Sequence, residues 1–274
     1  MNKLAVVSFS GGMDSSTLLL KLIAAKYSVK AVSFLYGQKH NIEIDRAKNL
    51  ISFLQSKSYP ISHHIINIGG LGELLHSSLI DGGSELENGS YDIDNMKDTV
   101  VPNRNKIFSS ITQSIALSLS IKNNSDVIIG MGVHSGDHIV YPDCRKEFRD
   151  KDYDAFISGN WEEAERVKYY LPYIDMTKSE VLKDGLNICR DLNLDYRDVY
   201  SRTHTSYNVI KHDNKIYSDC MSSSSIERIQ SFIDNNIEDP IGYADKSSPL
   251  NWEIVCDRIS NISLSYKENQ DSVC

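Results

Sequence analysis

No stretch of the 274-residue sequence is apolar for long enough to cross a membrane, since a spanning helix needs roughly 20 consecutive apolar residues. The N-terminal segment MNKLAVVSFSGG also lacks the small-residue cleavage site that follows the apolar core of a secretory signal. We therefore expect a protein without membrane contact that works in the cytoplasm.

Paired cysteines are absent as well. The five cysteines are odd in number and widely scattered, and no two of them have the C-x-x-C spacing of a redox or metal-binding pair. This pattern favours reduced thiols in a cytosolic protein. The cysteines are Cys144, Cys189, Cys220, Cys256 and Cys274.

An excess of basic residues is the third absence. Lysine and arginine number 29 against 37 acidic residues, which gives a formal net charge of −8. A protein that binds the backbone of tRNA or DNA usually carries a basic surface. We therefore expect no direct nucleic-acid ligand.

What the sequence does contain is an alternation of buried strands and amphipathic helices. The strand-like runs KLAVVSF, SVKAVSFLY, ISHHIINI and SDVIIGMGV alternate with helical patterns such as DSSTLLLKLIAAK and NKIFSSITQSIALSLSIK. This order predicts right-handed βαβ units and an α/β fold with a doubly wound parallel sheet. We assign this domain to residues 1–200 and a C-terminal appendage to residues 201–274, with a long polar connection over residues 69–104.

The segment SGGMDSS, residues 10–16, lies between the first predicted strand and its helix. Glycines allow a sharp turn and a close approach to a ligand, and the amides at a helix start point toward bound anions. Gly-Gly alone is more often a plain turn with serine caps, and the Gly-Lys-Ser/Thr ending of a Walker A loop is missing. The full string favours a pyrophosphate site, with Asp14 suited to Mg²⁺. Its candidate residues are Ser10, Gly11, Gly12, Asp14, Ser15 and Ser16.

Three further strings follow in order: SFLYGQKHNIE (33–43), VPNRN (101–105) and GMGVHSGDHIVYPDCRKEF (130–148). Together with the loop they resemble the 7-cyano-7-deazaguanine synthase family of the queuosine pathway, a branch of the PP-loop ATP pyrophosphatases, over roughly residues 4–230. The resemblance implies that ATP and Mg²⁺ activate the carboxylate of 7-carboxy-7-deazaguanine as an acyl adenylate. Ammonia then gives the amide, and a second activation gives the nitrile. Members of the family are often homodimers.

The resemblance also implies roles for residues at the predicted strand ends. Gln38 and His40 would help to hold ATP, although a histidine there is more often a helix cap. Arg104 would reach a phosphate or the substrate carboxylate, and Lys178, in the helix start opened by the Thr177–Glu180 capping box, would reach the leaving phosphate. The implied catalytic residues are Asp14, Arg104, Asp143, Arg145 and Lys178, and the implied substrate-binding residues are Glu43, Asn105, Asp137, Asp143 and Arg145.

One feature departs from the family pattern, which includes a structural zinc site of four cysteines. In this chain the four positions are occupied by Ser206, Asp219, Ser222 and Ser225, and Cys220 is one place out of register. Serine hydroxyls do not replace thiolates as zinc ligands, so we predict no zinc. The apolar segment IERIQSFI is then the candidate for holding this part of the chain to the core.

Two other readings remain open at this stage. Asn103 and Leu35 stand where the family usually has glycine and aspartate, and about 40 residues follow the family's usual end. These departures leave room for an enzyme that joins the deazapurine acyl group to a protein amine, as in antiphage defence. An inactive nucleotide-binding module is the third possibility, and the presence of Asp14, Arg104, Asp143 and Arg145 argues against it.

Overall fold

A computed structural model describes residues 3–38, 42–75, 77, 100–206 and 209–271. Its centre is a five-stranded sheet in the order β3-β2-β1-β4-β5, in which all neighbouring strands are parallel. This confirms the predicted α/β class. The strands are β1 (Lys3–Ser8), β2 (Tyr27–Leu35), β3 (Ile61–Asn67), β4 (Val127–Gly130) and β5 (Val167–Tyr170).

Helices cover both faces of this sheet because successive side chains of a strand point to opposite sides. Ala5 and Val7 of β1 pack in one core cluster, whereas Val6 packs in the cluster on the other face. The helices are α1 (Met13–Ala24), α2 (Ile42–Ser56), α3 (Gly69–Gly72), α4 (Arg104–Asn123), α5 (Asp137–Val140), α6 (Lys146–Ser158), α7 (Lys178–Asp191), α8 (Tyr196–Tyr200), α9 (Ser223–Asp234) and α10 (Trp252–Asp271).

The order of the strands reverses between β1 and β4. The chain builds outward from β1 to β2 and β3, then returns through α4 to place β4 on the other side of β1, where Val7 pairs with Gly130. Ligands of open α/β sheets bind beyond the carboxyl ends of the strands at such a switch point. The segments after β1 and β4 are therefore the expected walls of a site.

Several elements were not predicted. The short strand β5 and helix α6 have no assignment in the sequence analysis, and the connection over residues 69–104 contains α3, while residues 78–99 lie outside the described part. Within the described residues no helix is both long and apolar enough to span a bilayer.

The appendage contains more regular structure than the sequence pattern indicated. A second sheet of four short strands has the order β6-β7-β8-β9, and Asp213 and Asn214 form the left-handed turn between its first two strands. The predicted docking helix is present as α9, whose Ile229 and Phe232 are fully buried. The strands are β6 (Val209–His212), β7 (Lys215–Ser218), β8 (Tyr243–Ala244) and β9 (Pro249–Leu250).

Candidate active site

A cleft of about 290 Å³ opens at the switch point between β1 and β4. The glycine-serine loop, the start of α4, the segment after β4, the start of α7 and the start of α9 all contribute to its wall. The predicted site residues that line it are Ser10, Gly12, Asp14, Ser15, Glu43, Arg104, Asn105, Asp137 and Lys178.

The loop after β1 has the backbone geometry that only glycine permits. Gly11 has a φ of +83°, and a Cβ at this position would lie 2.5 Å from the carbonyl oxygen of Glu43. The loop is thus packed directly on the start of α2. Ser10 Oγ accepts from the amide of Gly12 at 3.2 Å and lies 3.1 Å from Ser15 Oγ, so two hydroxyls lie beside the helix start.

A second glycine brings the segment after β4 against this loop. A Cβ on Gly132 would come within 3.0 Å of the backbone of Asp14 and Ser15, so no larger residue fits without a shift. Ser16, the last residue of the predicted motif, is fully buried, and its Oγ has no hydrogen-bond partner within the described residues. It lies behind the lining of the cleft.

Asp14 has a carboxylate that fits a cation. Its Oδ1 is buried and has no hydrogen-bond partner in the described part of the chain, and its Oδ2 lies 3.6 Å from Lys178 Nζ. No group of three or more His, Cys, Asp or Glu side chains in the described ranges has the arrangement of a metal centre. A single carboxylate suits Mg²⁺, which usually keeps water and substrate phosphates as its other ligands.

Another part of the cleft has an aromatic wall. Phe34 and Phe108 stack with ring centroids 4.0 Å apart, and the guanidinium of Arg104 lies 5.7 Å from the Tyr36 ring and 5.8 Å from the Tyr141 ring. A flat heterocycle can stack on such a wall, and Arg104 is held beside it by its aromatic neighbours.

Two carboxyl groups in the cleft have raised pKa values. Burial raises the pKa of Glu43 to about 7, and the nearby Arg104 opposes this shift. Burial likewise raises the pKa of Asp137, against the lowering effect of His134 and Lys178. A carboxyl group with a pKa near 7, as in Glu43, can accept or donate a hydrogen bond at neutral pH.

Further sequence candidates among the described residues lie away from the cleft lining. Asp143 lies one layer back, where its Oδ1 accepts from Asn105 Nδ2 at 2.9 Å. Arg145 is exposed, and its Nε donates to the carbonyl oxygen of His138. Gln38 turns back on its own strand, since its Nε2 donates to the Phe34 carbonyl and its Oε1 accepts from the Tyr36 amide. His40 lies outside the described residues.

A different arginine of the same segment faces the cleft. Arg149 is 1% exposed, and its guanidinium donates to Ser109 Oγ and to the carbonyl oxygen of Asp143. Cys144 also lines the cleft, but burial raises the pKa of its thiol, which argues against a nucleophilic thiolate.

Sequence reasoning missed these contributors: Tyr36, Phe108, Tyr141, Arg149 and the serines at the start of α9. The aromatic residues read as ordinary core positions in the sequence.

Three of the four positions at which the resemblance implies zinc cysteines donate in this chain to the carboxylate at the fourth position, Asp219. Asp219 Oδ1 accepts from the hydroxyls of Ser206 at 2.5 Å, Ser225 at 2.6 Å and Ser222 at 2.8 Å. Its Oδ2 accepts from the Ser222 amide at 2.8 Å. This donor set does not fit zinc, because the hydroxyls already donate to the carboxylate and structural zinc sites use thiolate and imidazole ligands.

Comparison with known proteins gives consistent matches. The sequence model of the family described as queuosine biosynthesis protein QueC matches residues 4–236. A relative from Psychromonas ingrahamii named 7-cyano-7-deazaguanine synthase is 37% identical over 246 residues, which cover 89% of this chain and 100% of that protein. The 7-cyano-7-deazaguanine synthase 2 of Colwellia psychrerythraea is 38% identical over 245 residues, covering 89% of this chain and 100% of that protein.

A relative from a third organism gives a similar match. The 7-cyano-7-deazaguanine synthase of Caldicellulosiruptor bescii is 38% identical over 239 residues, which cover 87% of this chain and 96% of that protein. The family match ends at residue 236, so α10 lies beyond it.

Proposed function

The chain belongs to the queuosine biosynthesis protein QueC family, and on this premise we propose that it is a 7-cyano-7-deazaguanine synthase that uses ATP to activate a deazapurine carboxylate. The observation that carries the proposal is the layout of the cleft. A loop of glycines and serines with Asp14 and Lys178 forms one part of it, and an aromatic wall beside Arg104 forms another. Phosphates and a flat base would therefore bind to separate parts of one cleft.

The proposed chemistry begins at the substrate carboxylate. One of its oxygens attacks the α-phosphorus of ATP, and the bond to the β-phosphate breaks, so that pyrophosphate leaves. The loop amides after Gly12, the hydroxyls of Ser10 and Ser15, and the ammonium of Lys178 support the departing charge. Mg²⁺, when bound at Asp14, supplies further charge stabilisation on the phosphates.

The acyl adenylate then needs a nitrogen nucleophile. The lone pair of ammonia attacks the acyl carbon, and AMP leaves with an oxygen of the original carboxylate. The amide oxygen then attacks the α-phosphorus of a second ATP, and a second pyrophosphate leaves. Loss of AMP with that oxygen, and of the two amide protons to solvent, gives the nitrile. Asp137 and Glu43 line the cleft, and their carboxyl oxygens are the proposed acceptors for donors of the base.

We further propose that this enzyme functions without zinc. The Asp219 carboxylate and its serine donors occupy the positions that zinc ligands hold elsewhere in the family, as described above. The apolar contacts of α9 and α10 add a small core around this cluster, with Ile229, Tyr243, Val255 and Ile259 buried together.

The test is mass spectrometry of small molecules after incubation with ATP, Mg²⁺ and 7-carboxy-7-deazaguanine, with and without ammonium. We expect the amide or nitrile and AMP only when ammonium is present. Formation of AMP together with a deazapurine adduct on protein would favour the protein-amine alternative. Nucleotide binding without any substrate-dependent AMP would contradict the proposed function.

A further inference from the structure

A carboxylate of the appendage reaches the phosphate end of the cleft. Glu227 lies on α9, and its Oε2 is 2.8 Å from Nζ of Lys178. The side chain of Lys178 is 6% exposed and that of Glu227 is 25% exposed, so the lysine is withdrawn from water and the glutamate is partly so. Screening is weak at such a site, and the separation is that of a charge-assisted hydrogen bond.

The position of Glu227 is fixed from the opposite side by the segment after β4. A Cβ on Gly136 would lie 2.4 Å from Oε1 of Glu227, so the absence of a side chain at residue 136 leaves the space that the carboxylate fills. The amide of Gly136 donates to Nδ1 of His134 at 3.1 Å, and Nε2 of that ring lies 3.9 Å from Glu227 Oε2. The glutamate is thus enclosed by α7, α9 and the β4 segment.

Lys178 lies between two carboxylates from different parts of the chain. Asp14, at the start of α1, is 3.6 Å from its ammonium, whereas Glu227 of the appendage is 2.8 Å away. An isolated lysine side chain has four rotatable bonds and considerable rotamer freedom. The shorter contact restricts this freedom and holds the ammonium beside Asp14, at the wall where the phosphates are proposed to bind.

We propose that Glu227 is a positioning residue, which acts by holding Lys178 toward the phosphates of ATP, so that the appendage completes the nucleotide site. This inference rests on the proposed function in that it takes the nucleotide to be bound at this end of the cleft. The start of α9 supports it, because Ser222, Ser223 and Ser224 line the same cleft. A purely structural role would instead require only that α9 stays folded on α7.

The test is a double-mutant cycle with Lys178→Gln, Glu227→Gln and both substitutions together. The first measurement is the affinity for Mg²⁺ and a non-hydrolysable ATP analogue by calorimetry, and the second is kcat for substrate-dependent pyrophosphate release. We expect Glu227→Gln to lower kcat about 10- to 100-fold, as a small misplacement of a catalytic group does. The KM for the deazapurine should stay within about twofold of that of the unmodified protein, because the contacts that bind the deazapurine are unchanged.

The cycle separates positioning from folding. Once Lys178 is replaced, adding Glu227→Gln should cost no more than about twofold in analogue affinity or kcat, because the two residues act as one unit. The exposed Glu238→Gln is the matched control and should behave as the unmodified protein.

Independent, multiplying effects of the two substitutions would overturn the proposal, as would a Glu227→Gln protein with unchanged analogue affinity and kcat. The analogue measurement needs neither the deazapurine nor turnover. An unmodified protein that binds the analogue with the expected coupling but makes no product would contradict the proposed function and support the role of Glu227. Failure of the unmodified protein to bind the analogue would overturn both.

Discussion

Asp14 and Lys178 face each other across the phosphate end of the cleft, with 3.6 Å between the Oδ2 of the aspartate and the Nζ of the lysine. The other oxygen of Asp14 is buried without a hydrogen-bond partner within the described residues. A buried carboxylate oxygen in this state is costly unless a ligand satisfies it. Its arrangement beside a lysine and a glycine loop favours a magnesium-bound phosphate as that ligand.

Replacement of Asp14 by asparagine should separate catalysis from folding. We expect Asp14→Asn to lower kcat by about 100-fold or more, since one transition-state contact of this kind is worth 10² to 10³. Steady-state pyrophosphate release is the measurement, and the exposed Asp191→Asn is the control. Full turnover by the Asp14→Asn protein would contradict the assignment of this aspartate to the nucleotide site.

Glu43 should make the stability of the protein fall as the pH rises. Its pKa is raised from 4.5 to about 7 by burial, so the folded state holds a proton that the unfolded state has lost. The free energy of unfolding should therefore decrease by at most about 3 kcal/mol between pH 4.5 and about 7. Above this range the contribution of Glu43 is constant. Glu43→Gln should abolish this component, as measured by urea unfolding at pH 5 and pH 8.

The control for that experiment is Asp45→Asn, an exposed acid on the same helix. It should leave the difference in stability between the two pH values unchanged. An equal pH dependence in the Glu43→Gln protein and the unmodified protein would show that Glu43 is already ionised in the folded state at pH 5.

The cluster around Asp219 should stabilise the appendage without metal. We expect substoichiometric zinc in the purified protein and no change of Tm on treatment with a strong chelator. Asp219→Asn should lower the free energy of unfolding by about 2 to 3 kcal/mol, because hydroxyl and amide donors lose a charged acceptor. The exposed Asp257→Asn is the control. One tightly bound zinc per chain would contradict the account of this cluster.

The C-terminal helix α10 has one buried and one exposed isoleucine, and replacing each tests how much this helix stabilises the small core of the appendage. Ile259 is fully buried beside Tyr243, whereas Ile254 on the same helix is 43% exposed. Ile259→Ala should lower the free energy of unfolding by about 3 kcal/mol, and Ile254→Ala by less than about 1 kcal/mol. Chemical unfolding measures both. Equal small effects would mean that α10 contributes little to the stability of the appendage.

The sequence was sufficient for the parallel sheet because its strands have the near-continuous apolar runs of buried strands, as in KLAVVSF. Strand β5 was missed because VKYY is short and half polar, and its pairing with β4 is a long-range contact that no local pattern reports. The turn of the β6–β7 hairpin can be recognised from the sequence, because Asp213 and Asn214 are residues that favour a left-handed turn.

Some residues of the cleft can likewise be located from the sequence, and others cannot. The motif around Asp14 and the position of Arg104 follow from strand ends, which a sequence pattern can locate. Arg145 and Arg149 are one helical turn apart, and only packing determines that the second is buried against the cleft and the first is exposed. Glu227 is distant in sequence from Lys178, and its contact depends on how α9 docks on α7.

The proposed adenylation can be followed atom by atom. The measurement uses 7-carboxy-7-deazaguanine with ¹⁸O in its carboxylate, together with ATP, Mg²⁺ and ammonium, and mass spectrometry of the released nucleotide. The account predicts AMP that carries one ¹⁸O, because the carboxylate oxygen that attacks the α-phosphorus leaves with it. Label found in inorganic phosphate with release of ADP, or AMP without label, would contradict an acyl adenylate.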